Sequence, residues 1–200
     1  MIKLLKYVPV FLLIAAALQA EDRFDLLKKE LSEGACARFE FLSIIESDIF
    51  DRVDTSNGVA VIARDGRYFI SIGDDEYLYD AIYLYTYSRL NNQITVEKMF
   101  DYQGEELFFI TRLDKYFKTS VLQKNKEFSL VRRDSELDNI PDSMRVIIDP
   151  AGPALKEIIY FDINEEQNRL IFTRQDIKPV CDDHIFVPEF PDTAEIIKMY

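Results

Sequence analysis

Residues 64–88 read RDGRYFISIGDDEYLYDAIYLYTYS, and their alternation decides the fold class. In an extended chain successive side chains point to opposite faces. Tyr68, Ile70 and Ile72 then share one face. Tyr77 and Tyr79 share another, and Tyr83, Tyr85 and Tyr87 a third. Asp65-Gly66 lies between SNGVAVIA and RYFISI, and Asp-Gly between two alternating runs predicts a tight type I′ hairpin. EYLYD, YLYTY and, after the turn-forming Asn91-Asn92, QITVEKM continue the pattern. Short connections between so many runs predict an antiparallel meander.

The same period of two extends outward in both directions. ACARFEFLSI puts Ala37, Phe39 and Phe41 on one face and Arg38 and Glu40 on the other. TSVLQ, EFSLVR, RVIID, LKEIIYF and NRLIFTR are further runs, separated by turn-rich segments such as PAGPA and DINEEQN. HIFVPEF reads as a last short strand, with Pro188 suggesting an edge. Two segments depart from the pattern. In EDRFDLLKKELSE, residues 21–33, Phe24, Leu27 and Leu31 fall at helical spacing and Gly34 follows as a stop. In GEELFFITRLDKYF, residues 104–117, Phe109, Ile110, Leu113, Tyr116 and Phe117 recur with helical period. The expectation is a mainly β, α+β fold. It is an incomplete, strongly curved antiparallel β-barrel, because a sheet of this many strands must curl, close or split, and the helices must cover its hydrophobic hollow. No linker or repeat divides residues 21–200, which read as a single domain.

The chain opens MIKLLKYVPVFLLIAAALQA. Lys3 and Lys6 precede an apolar run, and Ala20 precedes the acidic Glu21, which is the anatomy of a secretory signal peptide over residues 1–20. An uncleaved N-terminal anchor is the alternative, although the run is shorter than the roughly 20 residues of a membrane span. The 36 acidic against 24 basic residues give a net charge of −12. That charge repels phosphate backbones, so nucleic acid is not an expected partner, and it favours a soluble monomer. Cys36 and Cys181 are the two cysteines. In an oxidising compartment an even count favours a disulfide; two buried apolar thiols are the alternative.

Chemistry-bearing motifs are sparse. His184 is the single histidine, so neither a histidine-rich metal site nor a Ser-His-Asp triad is expected. CDDH at 181–184 matches no common metal spacing. DINEEQN lacks the glycine of a calcium loop and reads as a solvated hairpin turn. No phosphate-cradling glycine loop is present, and no carboxylate pair stands out. Nothing therefore points to an enzyme, a metal or a cofactor. The collective aromatic rows remain. They form either an ordinary core or the wall of a cavity for an apolar ligand.

The order of segments resembles the periplasmic lipoprotein carriers of the LolA type. RDGRYFI at 64–70 stands where that family has a basic-Pro-Gly-Arg-Phe-Arg-Trp-like hairpin. YDAIYLYTYS at 79–88 matches its Asp-Gly-x-x-x-Trp-x-Tyr segment. NNQITVE at 91–97, the hairpin KNKEFSLVRR and the closing FVPEFPDTAEII follow in the family's order. Asp65 replaces its proline, Tyr68 its Phe, Phe69 its second arginine, Ile70 its Trp, Ala81 its glycine and Tyr85 its second Trp, while Tyr87 is kept. The resemblance implies an incomplete β-barrel capped by helices, whose hollow holds acyl chains of lipoproteins moving from the inner to the outer membrane. It implies periplasmic localisation, an inner-membrane ABC transporter that supplies cargo and an outer-membrane receptor that accepts it. On this footing Phe39, Phe41, Tyr68, Ile70 and Tyr85 are expected in the wall of the hollow. Phe109, Leu113 and Phe117 are expected in the lid, and Arg64 at the arginine that latches it; an ordinary strand-end role is the alternative for Arg64. A periplasmic sensor of lipids or lipoproteins on the same scaffold is the rival function.

Overall fold

The computed structural model describes residues 22–47, 51–99, 109–134, 140–162 and 164–199. The proposed signal peptide and the first part of the 104–117 segment lie outside the described residues. Among those described, twelve strands form one sheet. They are β1 (Cys36–Ser47), β2 (Arg52–Ala63), β3 (Tyr68–Ile72), β4 (Asp75–Tyr79), β5 (Tyr83–Ser88), β6 (Gln93–Lys98), β7 (Phe117–Gln123), β8 (Glu127–Arg132), β9 (Ser143–Ile148), β10 (Leu155–Phe161), β11 (Gln167–Lys178) and β12 (Glu195–Met199). Their order is β12-β6-β5-β4-β3-β2-β1-β11-β10-β9-β8-β7. Every pairing is antiparallel except that of β12 with β6, which is parallel. β1 and β11 join the N-terminal meander to the C-terminal one.

The sheet is open and curled. A bulge where β11 passes Phe41 bends it: Glu40 pairs with Arg174 but Phe41 with Phe172, leaving Thr173 over. The Thr173 hydroxyl donates to the Glu40 carbonyl, 3.0 Å away. Such an extra residue sharpens local twist. The bulge also puts Phe172 and Ile177 on the same face although their spacing is odd. Gly58 sits under the Phe41 ring, where a Cβ would overlap it.

Helix α1 (Arg23–Glu33) lies across the concave face. Asp22 caps it, accepting from the Phe24 N–H at 3.0 Å. It begins beside Asn125 of the β7–β8 turn, whose Oδ1 accepts from the Arg23 N–H at 3.3 Å. It ends at Gly34, where a Cβ would overlap Ile177 of β11. Phe24, Leu27 and Leu31 are buried as their spacing predicts. Phe24 stacks on Phe128 with ring centroids 4.3 Å apart. With Ala37, Phe39, Leu130, Val146, Ile148 and Ile158 they form the main core.

Three sequence expectations are corrected here. The Asp65-Gly66 hairpin is not type I′: only Gly66 has positive φ, at 100°. The Gly66 N–H donates to the Ala63 carbonyl and the Ala63 N–H to the Arg67 carbonyl, which is a three-residue loop closed on a glycine. The Asp65 carboxylate accepts from the Arg67 N–H at 3.1 Å and so holds Asp65 out of the left-handed region. HIFVPEF is not a strand. Asp183–Phe186 form a 3-10 turn capped by Asp182, and the last strand is β12, which starts only at Glu195. The 104–117 segment is not one helix in its described part: Phe109–Arg112 form a 3-10 turn, Leu113–Tyr116 a single α-turn (α2), and Phe117 already belongs to β7.

The β4–β5 turn gives a direct test of local strain. Ala81 has φ of 84°, a region that costs a residue with a Cβ about 1–2 kcal/mol. Asp80 compels it by accepting from the Ile82 and Tyr83 N–H groups, both at 2.8 Å. Ala81→Gly relieves the strain and loses about 0.4–1 kcal/mol through the more flexible unfolded chain. A net gain of about 0.5–1 kcal/mol is expected in urea denaturation. No gain, or a loss, contradicts this reading of the turn.

Candidate functional site

The concave face divides in two. Beneath α1, the β8–β10 side is sealed: Phe128, Leu130, Val146, Ile148 and Ile158 are all at most 1 % exposed. Toward the other end, Ile70, Ile72, Tyr77, Tyr79 and Leu84 present apolar surface on the same face and are only half-buried. Register explains why they converge. Ile70 pairs with Tyr77 and Tyr68 with Tyr79, and Tyr79 in turn with Leu84, so one row of side chains crosses three strands on one face. Phe41 and Phe172, 6.0 Å apart, continue the row into the centre of the sheet. This half-open apolar wall is the candidate site.

Three phenols of this face, Tyr68, Tyr77 and Tyr160, are held above their ordinary pKa. Burial is the main cause of the upward shift of Tyr77, with Asp75 adding to it, and also of Tyr160, with Asp162 adding. Tyr68 is fully buried and shifted further up, again first by burial. These phenols thus add no charge to the wall, and Asp75, opposite Ile72, marks its charged end.

A lid foot closes over one end. The 3-10 turn Phe109–Arg112 packs against α1. Lys28 of α1 bridges Asp25, 2.9 Å away, and Asp114 of α2, 2.8 Å away. Burial pulls the Lys28 pKa down, but the bonds to Asp114 and Asp25 outweigh it and leave a net rise. Arg133 caps the other end of α2, its Nε donating to the carbonyls of Asp114 (3.1 Å) and Phe117 (2.9 Å). A cation at a helix C-terminus satisfies carbonyls that lack partners.

The Lys28 clamp has a definite pH signature. A lysine raised in the folded state contributes fully below its ordinary value of 10.5 and loses that contribution as pH rises through the higher folded value. The stability difference between the wild type and Lys28→Gln is thus expected to be flat from about pH 7 to 10 and to shrink above that. Urea titrations at several pH values check it; a difference that vanishes by about pH 9 contradicts the clamp.

The anticipated site residues fall as follows. Phe39 (1 % exposed), Phe41 (8 %) and Tyr68 (0 %) lie on the concave face, as does half-buried Ile70. Tyr85 does not. It pairs with Leu78, so it points to the convex face, where its ring lies 6.0 Å from Phe190. Its hydroxyl donates to Asp80 at 3.1 Å. Burial, then the Asp80 charge, push its pKa up to about 12. Leu113 is buried in the lid turn. Phe117 is not a lid residue: it is the first residue of β7 and fully buried in the core. The backbone of Phe109 opens the 3-10 turn, and its side chain lies outside the described residues. Arg64 touches the lid through its carbonyl, to which the Arg112 guanidinium donates at 3.5 Å. The donor is thus on the lid and the acceptor on the hairpin, the reverse of the expected latch. The Arg64 side chain itself is exposed.

Sequence reasoning missed Arg133, and it missed Arg67, which ties the β2–β3 hairpin to the C-terminal segment. Arg67 bridges Asp65 (2.8 Å) and Asp183 (2.7 Å) and lies over the Phe186 ring, 4.8 Å from its centroid. The Asp183 bond is the largest cause of its raised pKa. Cys36 and Cys181, with Cα atoms 4.9 Å apart, form a disulfide beside this hub. With Val61, Ala63 and Phe186 they make a second, smaller core on the convex face.

No protein-family model matches the chain, and no curated protein matches it. Solved structures do. An uncharacterized conserved protein from Thermus thermophilus superposes with a TM-score of 0.52 at 10 % identity, over 88 % of this chain and 97 % of that one. A LolA superfamily protein from Nitrosomonas europaea aligns over 82 % of this chain and 97 % of that one, at 8 % identity and a TM-score of 0.43. The fold is an open, curled sheet of incomplete-barrel form, and it is shared with the Thermus protein. A DUF1329 family protein from Desulfovibrio piger covers 82 % of this chain and 95 % of its own, at 8 % identity and a TM-score of 0.44. At these identities the likeness is one of fold.

Proposed function

We propose that this chain is a periplasmic carrier that shelters the acyl chains of lipoproteins in the concave hollow and moves them from the inner to the outer membrane. The observation that supports it is the apolar row Ile70, Ile72, Tyr77, Tyr79 and Leu84, left half-exposed on a face otherwise sealed by α1. Each methylene withdrawn from water there contributes about 0.8 kcal/mol, so two or three acyl chains supply ample affinity. In this reading the lid foot at Leu113 moves aside for cargo. Release requires a receptor with a better-matched hollow, and an inner-membrane ABC transporter and an outer-membrane receptor are the partners it calls for. Acyl transfer between hollows needs no bond chemistry, so the role is not enzymatic. Entry to the periplasm is assigned to a cleaved signal peptide at residues 1–20.

The test is retention of a triacylated lipopeptide by delipidated protein on size exclusion. The acylated peptide is expected to co-elute with the monomer, and the same peptide without acyl chains is not. A protein that retains neither contradicts the carrier.

A further inference from the structure

The structure assigns a binding site for a primary ammonium group to the end of the half-open wall, at Asp75. Strand register carries the concave face of β3 outward in rows to β12. One row runs Ile72, Asp75, Ser88, Gln93 and Glu195, and another runs from Tyr79 through Leu84 to Glu97. Among the described residues that register places on this face from β3 to β12, none is lysine or arginine, and the carboxylates are Asp75, Glu97 and Glu195. The lysines of the same strands, Lys98 and Lys198, stand on the other face, paired with Tyr83 and Val96. On the neighbouring β2 the concave cation is Arg52, at the far end of the strand, where it bridges Asp54 at 3.1 Å. Of the residues outside the described ones, only Lys3 and Lys6 are basic, and both lie in the proposed signal peptide. The wall is therefore apolar with a negative end, which selects for a positively charged partner.

Asp75 is the carboxylate that meets the apolar row. It is half-buried, lies opposite Ile72, and shares its face with Tyr77, whose phenol its charge reaches. Among the described residues its side chain makes no hydrogen bond or ion pair. Neighbouring acids are committed: Glu76 to Arg89, and Asp80 to the Ile82 and Tyr83 N–H groups. A half-buried carboxylate without a counter-charge has lost hydration and gained nothing in return. An ammonium is a compact charge with three donors, so one carboxylate and a nearby hydroxyl can hold it. Ser88, paired with Asp75, supplies that hydroxyl. With the ammonium there, an attached alkyl chain runs over Ile72, Ile70 and Tyr77 into the hollow. The occupant that satisfies both halves is a lipidated peptide whose terminal amine is free and adjoins its acyl chains. This inference rests on the hollow taking acyl chains, and it adds that the cargo's polar end is read for positive charge.

The test uses a diacylated lipopeptide with a free terminal amine and otherwise uncharged residues, the same lipopeptide N-acetylated, and the unacylated peptide with its amine free. Each is titrated calorimetrically into wild type, Asp75→Asn and Asp75→Ser, with circular dichroism to confirm folding. Wild type is expected to bind the free-amine lipopeptide about tenfold or more tighter than the acetylated one, as a charge-assisted hydrogen bond implies. That ratio is expected to fall toward one in each variant. Equal affinity for the two lipopeptides in wild type overturns the ammonium site while leaving the acyl hollow intact. So does an unchanged ratio in a folded variant. An unacylated peptide that binds as tightly as the lipopeptide overturns it in favour of a free-cation site. If neither lipopeptide binds, the hollow itself fails, and the ammonium site with it.

Discussion

Replacing Cys36 and Cys181 together by alanine is expected to lower the unfolding free energy by about 3–5 kcal/mol. The bond joins residues 145 apart in sequence. The entropy that a cross-link removes from the unfolded chain grows with the logarithm of loop length, and a loop this long sits near the upper end of the range, at about 5 kcal/mol. The local structure adds to the cost. Cys36 is 7 % exposed and packs with Val61, Ala63 and Phe186 in the convex core. The C-terminal segment that Cys181 anchors also carries Asp183, Phe190 and β12, which cover the hairpin, the tyrosines of β5 and the β6 edge. Denaturant titration of the variant checks the magnitude. Hydrogen exchange checks the location: β12 and the amides of the 183–186 turn are expected to lose protection first. A variant as stable as the wild type contradicts the structural role given to this bond.

Ile70→Asp is expected to weaken binding of an acylated peptide by at least about a hundredfold, with the fold retained. Ile70 sits on the half-open wall between Tyr77 of β4 and Ala60 of β2. A carboxylate there must be stripped of water when an alkyl chain covers it, at a cost of several kcal/mol unless it protonates. In the empty protein the same side chain keeps access to solvent, so the stability cost is smaller than for a sealed position such as Ile158. Circular dichroism and the denaturation midpoint establish that the variant is folded. Fluorescence titration with an acylated probe reads the affinity. If affinity is unchanged in a folded variant, cargo does not enter across β3, and the wall is core.

Much of this fold is readable from local pattern. The strands of 64–88 are visible because alternation at Tyr68, Ile70 and Ile72, or Tyr77 and Tyr79, is a local consequence of the pleat. Helix α1 is visible for the same kind of reason, with Phe24, Leu27 and Leu31 on one stripe. What sequence does not carry is the choice of face. β5 offers Leu84 on one side and Tyr83, Tyr85 and Tyr87 on the other, and both sides are apolar enough to be inside. The aromatic side turns outward because Phe190, more than a hundred residues away, arrives to cover Tyr85 and Tyr87. A parallel edge strand such as β12 has the same character: Ile196 and Ile197 look like any short apolar run until β6 receives them. Phe117 continues the helical period of Leu113 and Tyr116 by coincidence, since the chain turns extended at that residue.

The candidate site was legible in type more than in detail. Phe39, Phe41, Tyr68 and Ile70 are on the concave face because strand parity carries them there from the Asp65-Gly66 turn. The lid contact at Arg64 runs through its carbonyl, which no sequence pattern can specify. Arg67 and Arg133, which hold the hairpin and the lid foot, are ordinary charged residues in sequence. Their roles come from Asp183 and from the open carbonyls at the end of α2, both brought close only by the tertiary fold.

The most direct measurement is native mass spectrometry of the protein as purified from the periplasm, before and after organic extraction. A carrier with this hollow is expected to show an added mass that extraction removes, that fragments to acyl chains, and that is absent from the Ile70→Asp variant. A single species at the mass of the bare chain, in a preparation that also refuses a triacylated peptide, contradicts the account and returns the aromatic wall to the role of an ordinary core.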